Sequence, residues 1–275
     1  MHRSRLSRLG LSKKLVYLAF MGDVLELLSP DLWLAAMLVA FAGGVVKGVV
    51  GFAMPLVILS GLAAFTTPDL AIAGIILPTL VSNVFQSLIG GIAPARRIVR
   101  DFKLFLIVSG VFLLIGAQLV PLFSETFLLL ALGCPTIAFV ISQLLGWLPA
   151  QMRQSVNFDV IMGVIAGIFG GIAGIWGPPT VAYLTALGTP KVEQIQAQGV
   201  FFLAGSILLV VAHVTSGILT TITCAFSALL VLPALAGLAV GTMIQGRINQ
   251  IAFRRATLLV LLLAGANLVR RGLIL

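Results

Sequence analysis

Lys47 puts a full positive charge in the middle of an apolar run, Val45-Val46-Lys47-Gly48-Val49-Val50. A lysine at mid-membrane costs about 2.5–3.5 kcal/mol on insertion scales, so it must face a cavity or a partner. Gly44, Gly48 and Gly51 flank it, and without Cβ atoms they let a ligand approach the backbone closely. This arrangement suits anion binding or proton exchange. The plainer alternative is a lysine that snorkels its ammonium to a nearby interface.

A second set of donors lies at Pro55 and at Pro178-Pro179, each following a glycine-rich stretch. Proline is well placed at the first position of a helix. A helix amino terminus offers free N–H groups and partial positive charge, so two such termini pointing inward would hold an anion without arginine. Proline itself lacks an N–H, so the donors would come from Leu56, Val57 and Thr180. Trp176 sits in the second break, where it would wall the site or simply pack between helices. Asn83 and Gln86 lie one helical turn apart, as do Gln194 and Gln198, with Gln196 on another face. Such amides bind oxyanions or, more plainly, hold helices together. The candidate substrate-binding set is Lys47, Gly48, Gly51, Pro55, Asn83, Gly174, Trp176, Gly177, Pro178, Pro179, Thr180 and Gln198. His213, alone near the end of an apolar run, reads as structural. Cys134 and Cys224 have no metal-site or disulfide spacing and read as packing residues, and no metal or cofactor is expected.

The elements that must position these residues follow from composition. The chain has 275 residues, 60% hydrophobic and only 9% charged, with a mean hydropathy of +1.18. A soluble domain cannot hide that much apolar surface, so the expected fold is an all-α polytopic membrane protein. The net charge of +9 reads as basic cytoplasmic loops beside anionic lipid, not as a nucleic-acid surface.

Residues 163–188 are apolar yet full of helix breakers, which a membrane segment tolerates only where protein or a wet cavity satisfies the freed backbone. Gly167, Gly171, Gly174 and Pro178 repeat the spacing of Gly44, Gly48, Gly51 and Pro55, and Thr189-Pro190 then echoes Thr67-Pro68. An internal duplication explains the match, and broken segments at corresponding places point to a transporter's binding site. Two independent glycine-rich packing helices are the simpler alternative. Gly170 occupies the position that matches Lys47, so the repeat does not itself require the charge.

The expected organisation is a basic or amphipathic leader (1–30), a first transmembrane repeat (31–148), a linker (149–159) and a second repeat (160–275). A start of translation at Met21 is an alternative to a true basic leader. Each repeat holds four hydrophobic segments, about eight transmembrane helices, or up to ten elements if the broken first segment of each half is a hairpin. Gly43-Gly44, Lys47-Gly48 and Gly51 are expected to interrupt the first. The loops around Arg96–Lys103 and Arg247–Arg255 both belong in the cytoplasm by the positive-inside rule. Five segments separate them, so single crossings would place them on opposite sides. A re-entrant hairpin at residues 163–188 removes the conflict and gives inverted halves.

Enzyme signatures are missing: no G-x-S-x-G elbow, H-E-x-x-H helix or P-loop occurs, and no enzymatic activity is expected. The chain resembles the TauE/SafE sulfite exporter family through the glycine run 167–174, Gly177-Pro178-Pro179, Tyr183-Leu184 and Leu187-Gly188-Thr189-Pro190-Lys191, with Gly48-Val-Val-Gly51-Phe-Ala-Met-Pro55 as the first-half counterpart. The resemblance implies a multi-pass transporter of the bacterial inner membrane with about eight spans. Its substrates would be small sulfur-containing anions such as sulfite, sulfoacetate or other organosulfonates. Lys47 and Trp176 depart from the glycine pattern and would tune substrate choice. The expected function is a secondary transporter working by alternating access, with a proton or sodium as the candidate coupling ion. The competing reading is a membrane scaffold or assembly subunit whose glycines serve helix packing alone.

Overall fold

The computed structural model describes residues 21–119, 124–145, 152–173, 177–215 and 217–274. Residues 1–20 of the expected leader, Gly174, Trp176 and residues 149–151 of the expected linker therefore lie outside the described residues. Helix dominates the rest, with no strand among the described residues. The helices are α1 (Pro30–Val50), α2 (Met54–Leu62), α3 (Pro68–Ser87), α4 (Ile92–Asp101), α5 (Lys103–Leu119), α6 (Glu125–Leu144), α7 (Val156–Ala173), α8 (Gly177–Ala186), α9 (Lys191–Thr215), α10 (Thr221–Arg247) and α11 (Gln250–Ile274). Five of them, α1, α3, α9, α10 and α11, are long and apolar enough to cross a membrane.

Local chemistry sets the helix ends. Pro30 opens α1 behind Ser29, with Asp31 in the first turn where the helix dipole favours a negative charge. Thr67-Pro68 opens α3, and the Thr67 hydroxyl accepts from the Leu70 N–H at 3.4 Å. Thr189-Pro190 likewise precedes α9, where the Gln194 N–H donates to the Pro190 carbonyl at 2.8 Å. The echoed Thr-Pro pair thus starts the helix that follows each short element.

The first break falls later than the sequence suggests. α1 continues through Gly43, Gly44 and Gly48 and stops only at Gly51, which adopts φ +88°. Those glycines are consumed by packing. A Cβ on Gly44 would collide with the Ala234 carbonyl oxygen, and one on Gly48 would lie 2.7 Å from the Gly241 Cα. The relation is reciprocal, because Cβ atoms on Gly237 and Gly241 would collide with the carbonyls of Phe41 and Val45. Lipid tails are as apolar as leucine, so close backbone contact is what holds such a pair together. The same holds for α7, which runs unbroken to Ala173, with Gly163 and Gly167 set against Val108, Ser109 and Phe112 of α5.

Contacts along the helices fix their relative directions. Gly43 lies against Met54 and Ile58, and Gly61 against Val39, so α2 folds back along α1 as a short return arm. Gly74 meets Leu62 while Gln86 reaches Gly51, so α3 runs opposite to α2 and along α1. α8 returns along α7 in the same way: Met152 N–H donates to the Ala186 carbonyl at 2.7 Å, and Tyr183 reaches Asp159. α3 and α9 run antiparallel, with Asn83 opposite Phe202 and Ser87 opposite Gln196. α1 runs parallel to α10, and α5 parallel to α7. α6 and α11 are antiparallel, with Gly133 beside Gly265 and Gly272 beside Leu130.

Two apolar clusters hold the bundle. One gathers Trp33, Met54, Ile58, Ile76, Phe226 and Leu230, with the Trp33 and Phe226 rings 5.3 Å apart. The other gathers Phe52, Phe105, Tyr183, Phe201 and Leu261, with Phe105 stacked on Tyr183 at 4.4 Å. α4 is the element the sequence hid behind its arginines. It has only 10 residues, too short to cross, and it lies between the end of α3 and the start of α5.

Candidate functional site

α3 carries a stripe of polar side chains at one-turn spacing, Thr79, Ser82, Asn83 and Gln86, all buried. Position 47 on the parallel helix α1 faces this stripe. Lys47 is 2% exposed, and its ammonium donates to Ser82 Oγ at 3.0 Å and to Asn83 Oδ1. An ammonium has three donors, so one remains. Both partners are neutral, and no carboxylate pairs with Lys47 among the described residues. The charge is buried and only half-answered, which disfavours the snorkelling alternative. Among the described residues the other buried ionisable side chain of Asp, Glu, Lys or Arg type is Asp159, which belongs to a separate cluster.

The break gives the site its backbone. Where α1 ends and α2 has not begun, carbonyl groups lose their helical partners. Buried amides replace those partners. Gln86 Nε2 donates to the Gly51 carbonyl at 2.8 Å and to the Ile195 carbonyl at 2.7 Å. Gln198, with its amide nitrogen turned to the break, donates to Gly51 at 2.8 Å and to Val50 at 3.2 Å. Asn83 Nδ2 donates to the Phe202 carbonyl at 3.1 Å. Glycine is favoured at position 51: its φ is positive, and a Cβ would strike the end of the Gln198 side chain. Ala53 adopts φ +70°, a conformation that costs an L-residue about 1–2 kcal/mol, and it opens α2 without a side-chain cap. The first-turn N–H groups of α2 are thus free of side-chain acceptors from the cap position.

The amides read from sequence as oxyanion donors are therefore largely spent on backbone. Gln194 donates to Thr185 Oγ1 at 3.2 Å, and Gln196 to the Ser87 carbonyl at 3.2 Å. Holding helices together is their role in this conformation. What stays open on the α3 stripe is Thr79 Oγ1 and Gln86 Oε1, both buried and without a hydrogen-bond partner. Buried polar atoms of that kind normally find a water or a ligand.

The structure brings together Lys47, Gly51, Asn83 and Gln198, and it adds Ser82, Thr79 and Gln86. Gly48 sits about 100° round α1 from Lys47, against α10. Pro55 lies in the first turn of α2. Gly177, Pro178, Pro179 and Thr180 begin α8, the last three buried. α8 packs on α7, α9, α11 and α6, whereas α2 packs on α1 and α3, and Val50 and Phe52 of the first break share an apolar cluster with Val181 and Tyr183 of α8. His213 falls in the last turn of α9, and its carbonyl accepts from the Leu219 N–H at 2.8 Å. Cys134 is exposed, Cys224 is half-buried, and both are free thiols.

One cluster escaped the sequence reading. Tyr183 OH donates to Asp159 Oδ1 at 2.6 Å, and Gln154 Nε2 donates to Oδ2 at 3.1 Å. These bonds tie the return arm α8 to the start of α7. Asp159 and Tyr183 lie 24 positions apart on two different helices, so no helical spacing announces them.

A model of the family described as "Sulfite exporter TauE/SafE" matches residues 36–268. The chain belongs to the TauE/SafE sulfite exporter family. The match contains both glycine-proline breaks, Lys47, the α3 stripe and α9. No curated protein and no solved structure matches the chain. A TauE/SafE chain with several long apolar helices is a multi-pass membrane protein of a transporter family, and such a family handles small sulfur anions.

Proposed function

We propose that the chain is a gradient-driven secondary transporter carrying a small sulfur oxyanion, sulfite or an organosulfonate, across the bacterial cytoplasmic membrane. The observation that carries this reading is Lys47, buried at the α1–α2 break with neutral partners and an unused donor. A dry site must replace the hydration shell of an anion with donors. Lys47 supplies the charge, Thr79 supplies an unpartnered hydroxyl, and the amino terminus of α2 supplies backbone N–H groups. No ATP-binding motif occurs in the sequence, so a proton or sodium gradient is the proposed energy source.

Alternating access follows from two halves of opposite orientation. The proposed correspondence pairs α1 with α7, α2 with α8, α3 with α9, α5 with α10 and α6 with α11. It is supported by the α1–α10 contact, which this exchange turns into the α7–α5 contact, both of them parallel. The antiparallel pairs α3–α9 and α6–α11 map onto themselves. In this arrangement Arg96, Arg97, Arg153, Lys191, Arg247 and Arg255 share one side, while Asp31, Asp69 and Glu125 lie on the other together with Arg270 and Arg271. The basic side is then cytoplasmic.

That topology has a direct test in a background lacking Cys134 and Cys224. Cysteines at Arg97 and at Arg247, both exposed, are expected to resist a membrane-impermeant thiol reagent in intact cells, while one at Asp69 reacts. Labelling of only one of the two arginine positions contradicts the inverted arrangement.

The glycine packing of α1 on α10 and the amide-to-backbone bonds favour one other reading, a scaffold held rigid by the same contacts. A thermal-shift panel on the purified protein separates the two. The transporter reading expects sulfite, sulfoacetate or a related sulfonate to raise the melting temperature in a saturable way, with chloride as the control. A panel without any saturable shift supports the scaffold.

A further inference from the structure

We infer that α4, together with the adjoining end of α3 and the middle of α9, forms a binding site for an anionic glycerophospholipid. This does not depend on the transport reading. α4 is pinned to the bundle by Ile98 and Phe102, both buried, and it turns Arg96, Arg97 and Arg100 outward. Those arginines line an open depression of about 570 Å³ together with Ile92 and Ala93. Next to it lies a second cleft of about 340 Å³, whose lining is mainly apolar: Leu88, Val99, Val200 and Leu203, with Ile92 and Arg96 shared between the two.

The pairing of these spaces selects the ligand. A free oxyanion uses the arginines but gains nothing from the apolar cleft. A phospholipid uses both, with its phosphate on the guanidinium groups and an acyl chain along Leu88, Val99 and Leu203. Val84, Phe85 and Leu88 continue the exposed apolar strip down α3, in the direction a chain must take. Charge favours an anionic headgroup. The acid beside the cluster, Asp101, is already engaged at 3.1 Å by Arg100, and no ion pair takes up Arg96 or Arg97 among the described residues. The cleft also joins α4 to α9, so a bound lipid would bridge segments far apart in the chain.

Full-length protein in detergent, titrated with phosphatidylglycerol and with phosphatidylcholine of the same chains, tests this by native mass spectrometry. Phosphatidylglycerol is expected to bind at least tenfold more tightly. R96Q/R97Q should reduce it to the phosphatidylcholine level, while R247Q, a charge removed from another loop, leaves the preference intact. Unchanged preference in R96Q/R97Q overturns the inference. Inorganic phosphate and glycerophosphoglycerol, the headgroups without chains, should fail to compete at tenfold excess over lipid. Competition by either at that excess assigns the arginines to a soluble anion instead, and this arm decides the matter on the unmodified protein if R96Q/R97Q does not fold.

Discussion

Lys47→Met is expected to weaken binding of the transported anion at least tenfold, roughly 1.4 kcal/mol or more. Methionine keeps the length and apolar bulk of the side chain and removes only its charge and donors. The fold should survive. Asn83 Oδ1 and Ser82 Oγ lose a donor, a loss of about 1–3 kcal/mol for a buried acceptor. Removing a buried lysine returns an insertion cost of similar size. The partners of Lys47 are neutral, so no unpaired charge is left behind, unlike the removal of half an ion pair. Lys47→Arg is the harsher probe of shape. A planar guanidinium cannot take the place of a compact ammonium between Ser82 and Asn83 without displacing one of them, so partial activity at best is expected. The measurement is a thermal-shift titration of each variant against the anion that stabilises the unmodified protein. Equal titration midpoints would remove Lys47 from the site and leave the α2 terminus as the donor.

Gly44→Ala is expected to destabilise the bundle by about 3 kcal/mol or more, at the upper end of what overpacking does. Its Cβ would overlap the Ala234 carbonyl oxygen, and backbone cannot rotate away as a side chain can. The two helices must separate, which also loosens the contacts at Gly48, Gly237 and Gly241. Gly110→Ala is the matched control. Nothing lies within 4 Å of a Cβ at position 110 on α5, and alanine gains about 1 kcal/mol of helix propensity over glycine. Melting temperatures in detergent should therefore fall for Gly44→Ala and hold or rise for Gly110→Ala. A shared direction for the two would mean that the α1–α10 seam is not what holds the bundle.

Much of this was legible in the sequence because a membrane chain has few ways to hide polar groups. Lys47 stood out as a charge inside an apolar run, and it does meet Asn83, a residue singled out on polarity alone. The Thr-Pro pairs read from sequence only as echoes of a repeat, yet each stands at a helix start, and at Thr67 the hydroxyl caps it. The glycines misled about where α1 breaks. A glycine that admits a neighbouring helix and one that ends its own look alike in sequence, and only a partner tells them apart. α10 is that partner, nearly 200 residues away. The break at Gly51 depends on Gln86 and Gln198 arriving from α3 and α9 to take up its carbonyls, which no local pattern encodes. α4 was obscured because ten residues with three arginines read as a loop until Ile98 and Phe102 are seen to be buried. The Asp159–Tyr183 bond was missed for a similar reason, since it joins two different helices, α7 and α8.

The central claim is that a sulfur oxyanion crosses the membrane through this chain by way of Lys47. Uptake of sulfite and of sulfoacetate into proteoliposomes, with and without an imposed proton or sodium gradient, tests it most directly. The unmodified protein should accumulate at least one of these anions above empty liposomes when a gradient is applied, and Lys47→Met at matched protein amount should lose most of that uptake. Uptake no greater than that of empty liposomes under either gradient, or full uptake by Lys47→Met, would contradict the account.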